Sequence, residues 1–246
     1  MNKGLSGLQD RVVFEALEPR LLLDGNVTAK VVNGDLRLTG DRHGNGILIE
    51  RGGTTDTFIV TGQDGTAVNG GLQAVLTGVT DDIIVDLKGA RNDIWLHDLT
   101  VPDSLKVKTG SGGDVITMDN VTVTGQFTMR TRARDDYVTI TDLAVGATAR
   151  ITTGAGDDMV DIERSLFHDR LWAGFGSGAD YLEILSSSFS NVLSISMGGQ
   201  DDYATWMQCW SPLGGDIYGG KGDDTFRDQG GSTTSLPALY GFESIT

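Results

Sequence analysis

The chain has 246 residues, of which 35 are Gly and only 4 are Pro, with 39% hydrophobic and 22% charged residues. The lack of a strict Gly-X-Y period excludes collagen, and the regular spacing of apolar residues argues against a disordered chain. Thirty-four acidic against 19 basic residues leave a net charge of −15, which repels phosphate backbones and argues against nucleic acid as a partner. The single cysteine, Cys209, can form neither an internal disulfide nor a thiolate metal cage. No apolar run approaches the roughly 18 residues of a membrane span.

In chain order, residues 8–23 carry an interrupted apolar stripe of Val12, Val13, Leu17 and Leu21, with Pro19 restricting any helix to one side of it. This segment reads as a cap or as a processing signal. Residues 26–65 hold alternating stretches at Val27 to Val31, Leu36 to Leu38, Ile47 to Ile49 and Phe58 to Val60. Asn-Gly, Gly-Asn-Gly, Gly-Gly and Asp-Gly punctuate them, which predicts hairpins capping a first coil. Ile83, Val85 and Leu87 then fit the end of one further coil.

From Lys88 onward the chain repeats every 22 residues, with lines starting at Lys88, Gly110, Arg132, Gly154, Gly176, Gly198 and Gly220. The fifth position reads Asn92, Asp114, Asp136, Asp158, Asp180, Asp202, Asp224, and the seventh reads Ile94, Ile116, Val138, Val160, Leu182, Ala204, Phe226. Apolar columns also run through the ninth (Leu96 to Trp206), eighteenth (Leu105 to Leu193) and twentieth (Val107 to Ile217) positions. Apolar spacing of two is the period of a strand with one buried face, and no window shows helical spacing. A unit this short cannot bury its apolar side chains alone, but stacked units place each column on itself. The expectation is an all-β chain, a right-handed parallel β-helix whose seven coils, at about 4.8 Å each, make a rod ~34 Å long. Its divisions are an N-terminal segment at 1–25, a β-rich cap with the first coil at 26–87, and the solenoid with its closure at 88–246. The closure follows the break in pattern from Gly230 to Pro237.

Four lines open with Gly-x-Gly-x-Asp: Gly110 to Asp114, Gly154 to Asp158, Gly176 to Asp180 and Gly220 to Asp224. Glycine permits positive φ in a tight turn, and aspartate supplies the hard anionic oxygen that Ca²⁺ prefers. The motif resembles the calcium-binding repeat of RTX proteins, and the resemblance implies calcium as cofactor, held by Asp114, Asp136, Asp157, Asp158, Asp180, Asp202, Asp223 and Asp224. Two departures are plain: the opposite turn of each coil lacks the motif, and Arg132-Ala-Arg134 has lost both glycines. The competing reading is that these carboxylates splay into solvent, accept backbone N–H bonds at the turn and are screened by salt. Carboxylates about 5 Å apart repel by about 1 kcal/mol per pair in water and about 3 at an effective dielectric of 20.

Leu17-Glu-Pro-Arg-Leu-Leu-Leu23 resembles the LEPR-XLL motif near the start of large exported or surface proteins of planctomycete-type bacteria. The stretches Val31 to Gly40, Phe58 to Gly70 and Leu76 to Asp81 are similar to the segment preceding GxGxD-type repeats in such proteins. This resemblance implies a secreted or cell-surface protein with a noncatalytic structural or adhesive role. Expected partners are cell-surface or extracellular-matrix components, polysaccharide among them, with end-to-end or side-by-side self-association as a further expectation.

Because parallel β-helices also host polysaccharide lyases and hydrolases, the pairs Asp135-Asp136, Asp157-Asp158, Asp201-Asp202 and Asp223-Asp224, with His168 and Arg170, are the acid-base candidates. A catalytic constellation is a local exception within a repeat, whereas these pairs recur at one repeat position, as turn chemistry does. Aromatic exceptions stand at Trp172, Tyr181, Tyr203, Trp206 and Trp210. The Trp206 to Trp210 stretch reads first as end packing, with a sugar platform and a docking surface as alternatives.

Overall fold

The structure is a computed structural model that describes residues 25–232 and 236–246. The LEPR-like stretch Leu17 to Leu23, and with it the choice between cap and signal, lies outside the described residues. Among those described there is no helix, and the strands form one 11-stranded and one 13-stranded sheet.

Each coil runs up one sheet, turns through the glycine-rich motif and runs along the other. Phe127–Ala133 pairs in parallel with Leu105–Lys108 on one side and Ala149–Ala155 on the other. Tyr137–Val145 likewise lies between Val115–Val123 and Met159–Glu163. Partners in register are 22 residues apart, as in Ile116 with Val138 and Met129 with Ile151. The seventh, eighteenth and twentieth positions of the repeat are buried along their columns, and so is the ninth as far as Trp206. The result is a β-solenoid of about seven 22-residue coils.

A third inward face completes the core. Leu99, Val121 and Leu143 pass to Ser165, Ser187 and Cys209, while Val101, Val123 and Val145 pass to Phe167 and Phe189, all buried. These columns follow a one-residue corner at which Asp98, Asn120, Asp142, Arg164, Ser186 and Gln208 all have φ between 47° and 54°. Asn and Asp tolerate this left-handed conformation best among residues with a side chain. Side chains tie the corners together: Asn120 Nδ2 donates to Asp98 Oδ1 at 2.6 Å, and Arg164 grips both oxygens of Asp142 at 3.0 Å each. Phe167 stacks on Phe189 at 5.3 Å, and Phe189 on Trp206 at 5.4 Å, so Trp206 is core while Trp210 is 40% exposed.

The first coil begins earlier than the hairpin reading places it. Asp35–Gly40 pairs in parallel with Ile83–Asp86, and Gly46–Arg51 with Asp93–Val101, so these two strands already form a coil. Their antiparallel partners, Asn26–Val32 and Phe58–Gln63, form the cap together with Gln73–Leu76. One arm of each hairpin is solenoid and the other is lid, which covers the strand edges an open end would expose. At the other end Ala238–Tyr240 and Ser244–Ile245 add a last short rung, and Phe242 packs edge-on against Phe226 at 5.6 Å.

Candidate functional site

The glycine turn brings the fifth-position residues into one line inside the solenoid. Asp114, Asp136, Asp158, Asp180, Asp202 and Asp224 are each 0–2% exposed. The solvent-splayed alternative is therefore corrected: these carboxylates do accept backbone N–H bonds, but inside the wall. Each Oδ1 accepts the backbone N–H of the equivalent residue one coil earlier. The donors Asn92, Asp114, Asp136, Asp158, Asp180 and Asp202 reach their acceptors at 2.7–2.9 Å. At such a turn the amide would otherwise be buried without an acceptor, and the side chain from the next coil supplies one.

Neutral or longer groups close the ladder. Asn92 Nδ2 donates to Asp114 Oδ1 at 2.9 Å, Asn45 N donates to Asn92 Oδ1 at 3.2 Å, and Asp224 N donates to Glu243 Oε2 at 2.7 Å. The glycines are required by the same turn. A Cβ on Gly176, at φ 110°, would meet Gly154 O at 1.8 Å, and one on Gly154, at φ 125°, would meet Arg132 O at 1.9 Å.

The neighbouring acidic position behaves oppositely. Asp135, Asp157, Asp201 and Asp223 are exposed, and here the carboxylate of one coil accepts from the next. Asp157 N donates to Asp135, Ala179 N to Asp157, and Asp223 N to Asp201, at 2.8–2.9 Å. Of the eight candidate metal ligands, six thus stand in the buried ladder, while Asp157 and Asp223 stand in the exposed one.

Burial penalises the charged form along the inner ladder. Asp180 is pushed up to about 8, Asp136 to about 7 and Asp202 to about 6, with Asp114, Asp158 and Asp224 also raised. After burial, the charges of adjacent rungs push Asp136 and Asp180 further up, while the N–H donors oppose the shift. Asp136 also has the Thr131 hydroxyl nearby to hold it down. At Asp180 the corresponding position is Phe175, and no such hydroxyl helps.

Calcium requires six to eight oxygens at 2.3–2.6 Å. Every inner Asp keeps one enclosed oxygen, Oδ2, without a hydrogen-bond partner. Those oxygens are of the right chemical kind, but each rung contributes only one and the burial leaves little room for water to complete a shell. A second acidic group, Asp81, Asp82 and Asp103, brings carboxylate oxygens within 4.8 Å of one another on a wetter surface. There the Lys106 ammonium already sits 2.5 Å from Asp82. Among the described residues, the ladder and this group are two places whose oxygens could hold calcium. The second escaped sequence reasoning because Asp103 is 21 residues beyond Asp82 and joins it only through coil stacking; adjacency of Asp81 and Asp82 was the available signal.

Two further groupings on the second sheet are equally products of stacking. His97 lies 3.0 Å from both Asp98 and Asp119. Asp161 is raised first by burial and then by the charge of Glu183, which follows it in register. His168 and Arg170 are exposed on the opposite turn, away from the paired aspartates of the glycine turn. Comparison with protein-family models, curated proteins and solved structures found no match to this chain.

Proposed function

We propose that the chain is a noncatalytic structural or adhesive β-solenoid module of an exported or cell-surface protein. The observation that carries this reading is the aspartate ladder: the most regular acidic feature of the sequence is occupied in binding backbone amides of adjacent coils. A carboxylate held in a wall cannot approach a substrate as general acid or base. Covalent labelling of intact producing cells with an impermeant amine reagent should tag the protein, and a protein labelled only after lysis would overturn the exported assignment. Incubation with uronate polymers should release neither reducing ends nor unsaturated products.

Calcium enters as a stabiliser rather than a reactant. The Asp81, Asp82 and Asp103 group supports it more strongly than the ladder does, because solvent can complete the coordination there. Millimolar Ca²⁺ should raise Tm beyond the effect of equal Mg²⁺, and Asp103→Asn should abolish that gain. Loss of the gain in Asp158→Asn instead would assign the ion to the ladder, and no calcium-specific gain would remove calcium from the proposal.

A carbohydrate-active role is the second reading, favoured by one observation: Asp161 and Glu183 face outward on adjacent strands beside the stacked Tyr181 and Tyr203, whose rings are 5.5 Å apart. Product release abolished by Glu183→Gln would establish it.

A further inference from the structure

The basic residues are not spread evenly over this acidic molecule. On the outer face of the first sheet, Lys108 is in register with Arg130, Thr128 with Arg150, and Arg150 with Trp172. With Arg132 they line an open groove of about 760 Å³ whose remaining lining is Thr, Ser, Gly and Phe175, without a carboxylate. Lys108, Arg130, Arg132 and Arg150 are exposed and make no ion pair with any described residue. On a chain of net charge −15, four cations left without partners on one face form a local field opposite to that of the whole.

Two features show that the groove is built. The Arg150 guanidinium lies 3.8 Å from the centroid of the Trp172 ring. Stacking orients its plane and leaves the in-plane N–H groups free to meet a carboxylate or sulfate in bidentate fashion. The indole itself leans over Gly174, where an added Cβ would come within 2.6 Å of the ring. Arg132 has φ 99° at the turn position that Gly154, Gly176, Gly198 and Gly220 occupy in later coils. A side chain there is strained, and a strained residue that replaces the easily accommodated glycine is a pointer to function.

We propose that this groove binds an acidic polysaccharide. The guanidinium groups of Arg130, Arg132 and Arg150 and the Lys108 ammonium take the carboxylates or sulfates, and the Trp172 indole forms the apolar wall against a sugar ring. The four cations occupy three adjacent coils, Arg130 and Arg132 sharing one, and Lys108 and Arg130 face each other across the coil spacing of about 4.8 Å, a length comparable to one sugar unit. The exposed Asp135 and Asp157 at the neighbouring turn repel any polyanion that extends beyond the groove, and a nucleic acid is the alternative occupant that the test below separates. The inference deepens the adhesive reading and rests on it for its biological use alone. Failure to bind leaves an exported scaffold standing, whereas failure of surface labelling leaves the groove's affinity standing.

The test is titration calorimetry of the whole chain at about 0.15 M salt, where exposed charges more than about 8 Å apart are screened. Probes are a defined oligogalacturonate, its methyl ester and a thymidine oligonucleotide. The free-acid oligosaccharide should bind, and the ester and oligonucleotide should bind at least about tenfold more weakly. The Arg130→Gln, Arg150→Gln double variant and Trp172→Ala should each lose about tenfold in affinity, while Arg227→Gln on the other sheet retains it. Arg132→Gly is the sharpest variant: relief of the strained φ should raise Tm while affinity falls. Equal affinity for acid and ester, undiminished binding by the double variant, or an oligonucleotide bound as tightly as the oligosaccharide would each overturn the proposal.

Discussion

Asp180→Asn isolates the cost of charge in the ladder. The asparagine Oδ1 can still accept the Asp158 N–H, and its Nδ2 can donate onward, as Asn92 already does to Asp114 Oδ1 and Ala90 O at 2.9 Å each. What the substitution removes is ionisation. Asp180 is held at about 8 in the fold against an ordinary value of 3.8. An acid with a raised folded value binds its proton more tightly when folded, so its contribution is most favourable below the unfolded value. That contribution declines as pH rises from about 4 to about 8 and is constant above. Between pH 5 and the folded value lie about three pH units, each worth about 1.4 kcal/mol, or about 4 kcal/mol in all. Asp180→Asn should therefore stabilise the protein more at pH 9 than at pH 5 by up to that amount. For a chain of this size, where 1 kcal/mol moves Tm by about 2–4 °C, the gain in Tm should grow by about 8–16 °C. Thermal melts followed by far-ultraviolet circular dichroism at the two pH values measure the difference directly. An equal Tm change at both pH values, or destabilisation at pH 9, would refute the argument that burial of charge dominates the ladder.

Three further outcomes rest on packing. Gly176→Ala places a methyl group where Gly154 O lies 1.8 Å away and φ is 110°, so a loss of at least about 2 kcal/mol in urea denaturation is expected; wild-type stability would show that the turn can open. Trp206→Ala leaves the Phe167–Phe189 stack without its end and should cost about 3–5 kcal/mol, a loss that the exposed Trp210 should not reproduce in the same measurement. Insertion of one residue between Val115 and Met118 exchanges inward and outward faces of a strand paired on both sides and should abolish cooperative melting. The same insertion between Gly231 and Ser232 should melt like the parent.

The period of 22 and the alternation of apolar positions were sufficient to define the solenoid, because each coil must place its own columns on those of the next to bury them. Position in the repeat also identified the aspartate column and the glycines that let the chain turn beside it. The side to which that column points was not legible. An Asp beside glycines serves as well at an exposed turn, as Asp157 and Asp223 do, as inside a wall, and only the backbone path through the turn separates the two. The third core face was obscured because its columns change character partway, from Val121 and Leu143 to Ser165, Ser187 and Cys209, so no uniform apolar column marks it. The start of the solenoid was hidden for another reason: the lid, Phe58–Gln63 and Gln73–Leu76, is inserted between the first coil and its successor, so Leu36 pairs with Ile83 at a separation of 47 residues instead of 22. Local alternation and turn chemistry are properties of consecutive residues and can be read directly. The groove of Lys108, Arg130, Arg150 and Trp172 and the acidic group of Asp81, Asp82 and Asp103 are properties of stacking. Only the tertiary register decides which charges on successive coils become neighbours.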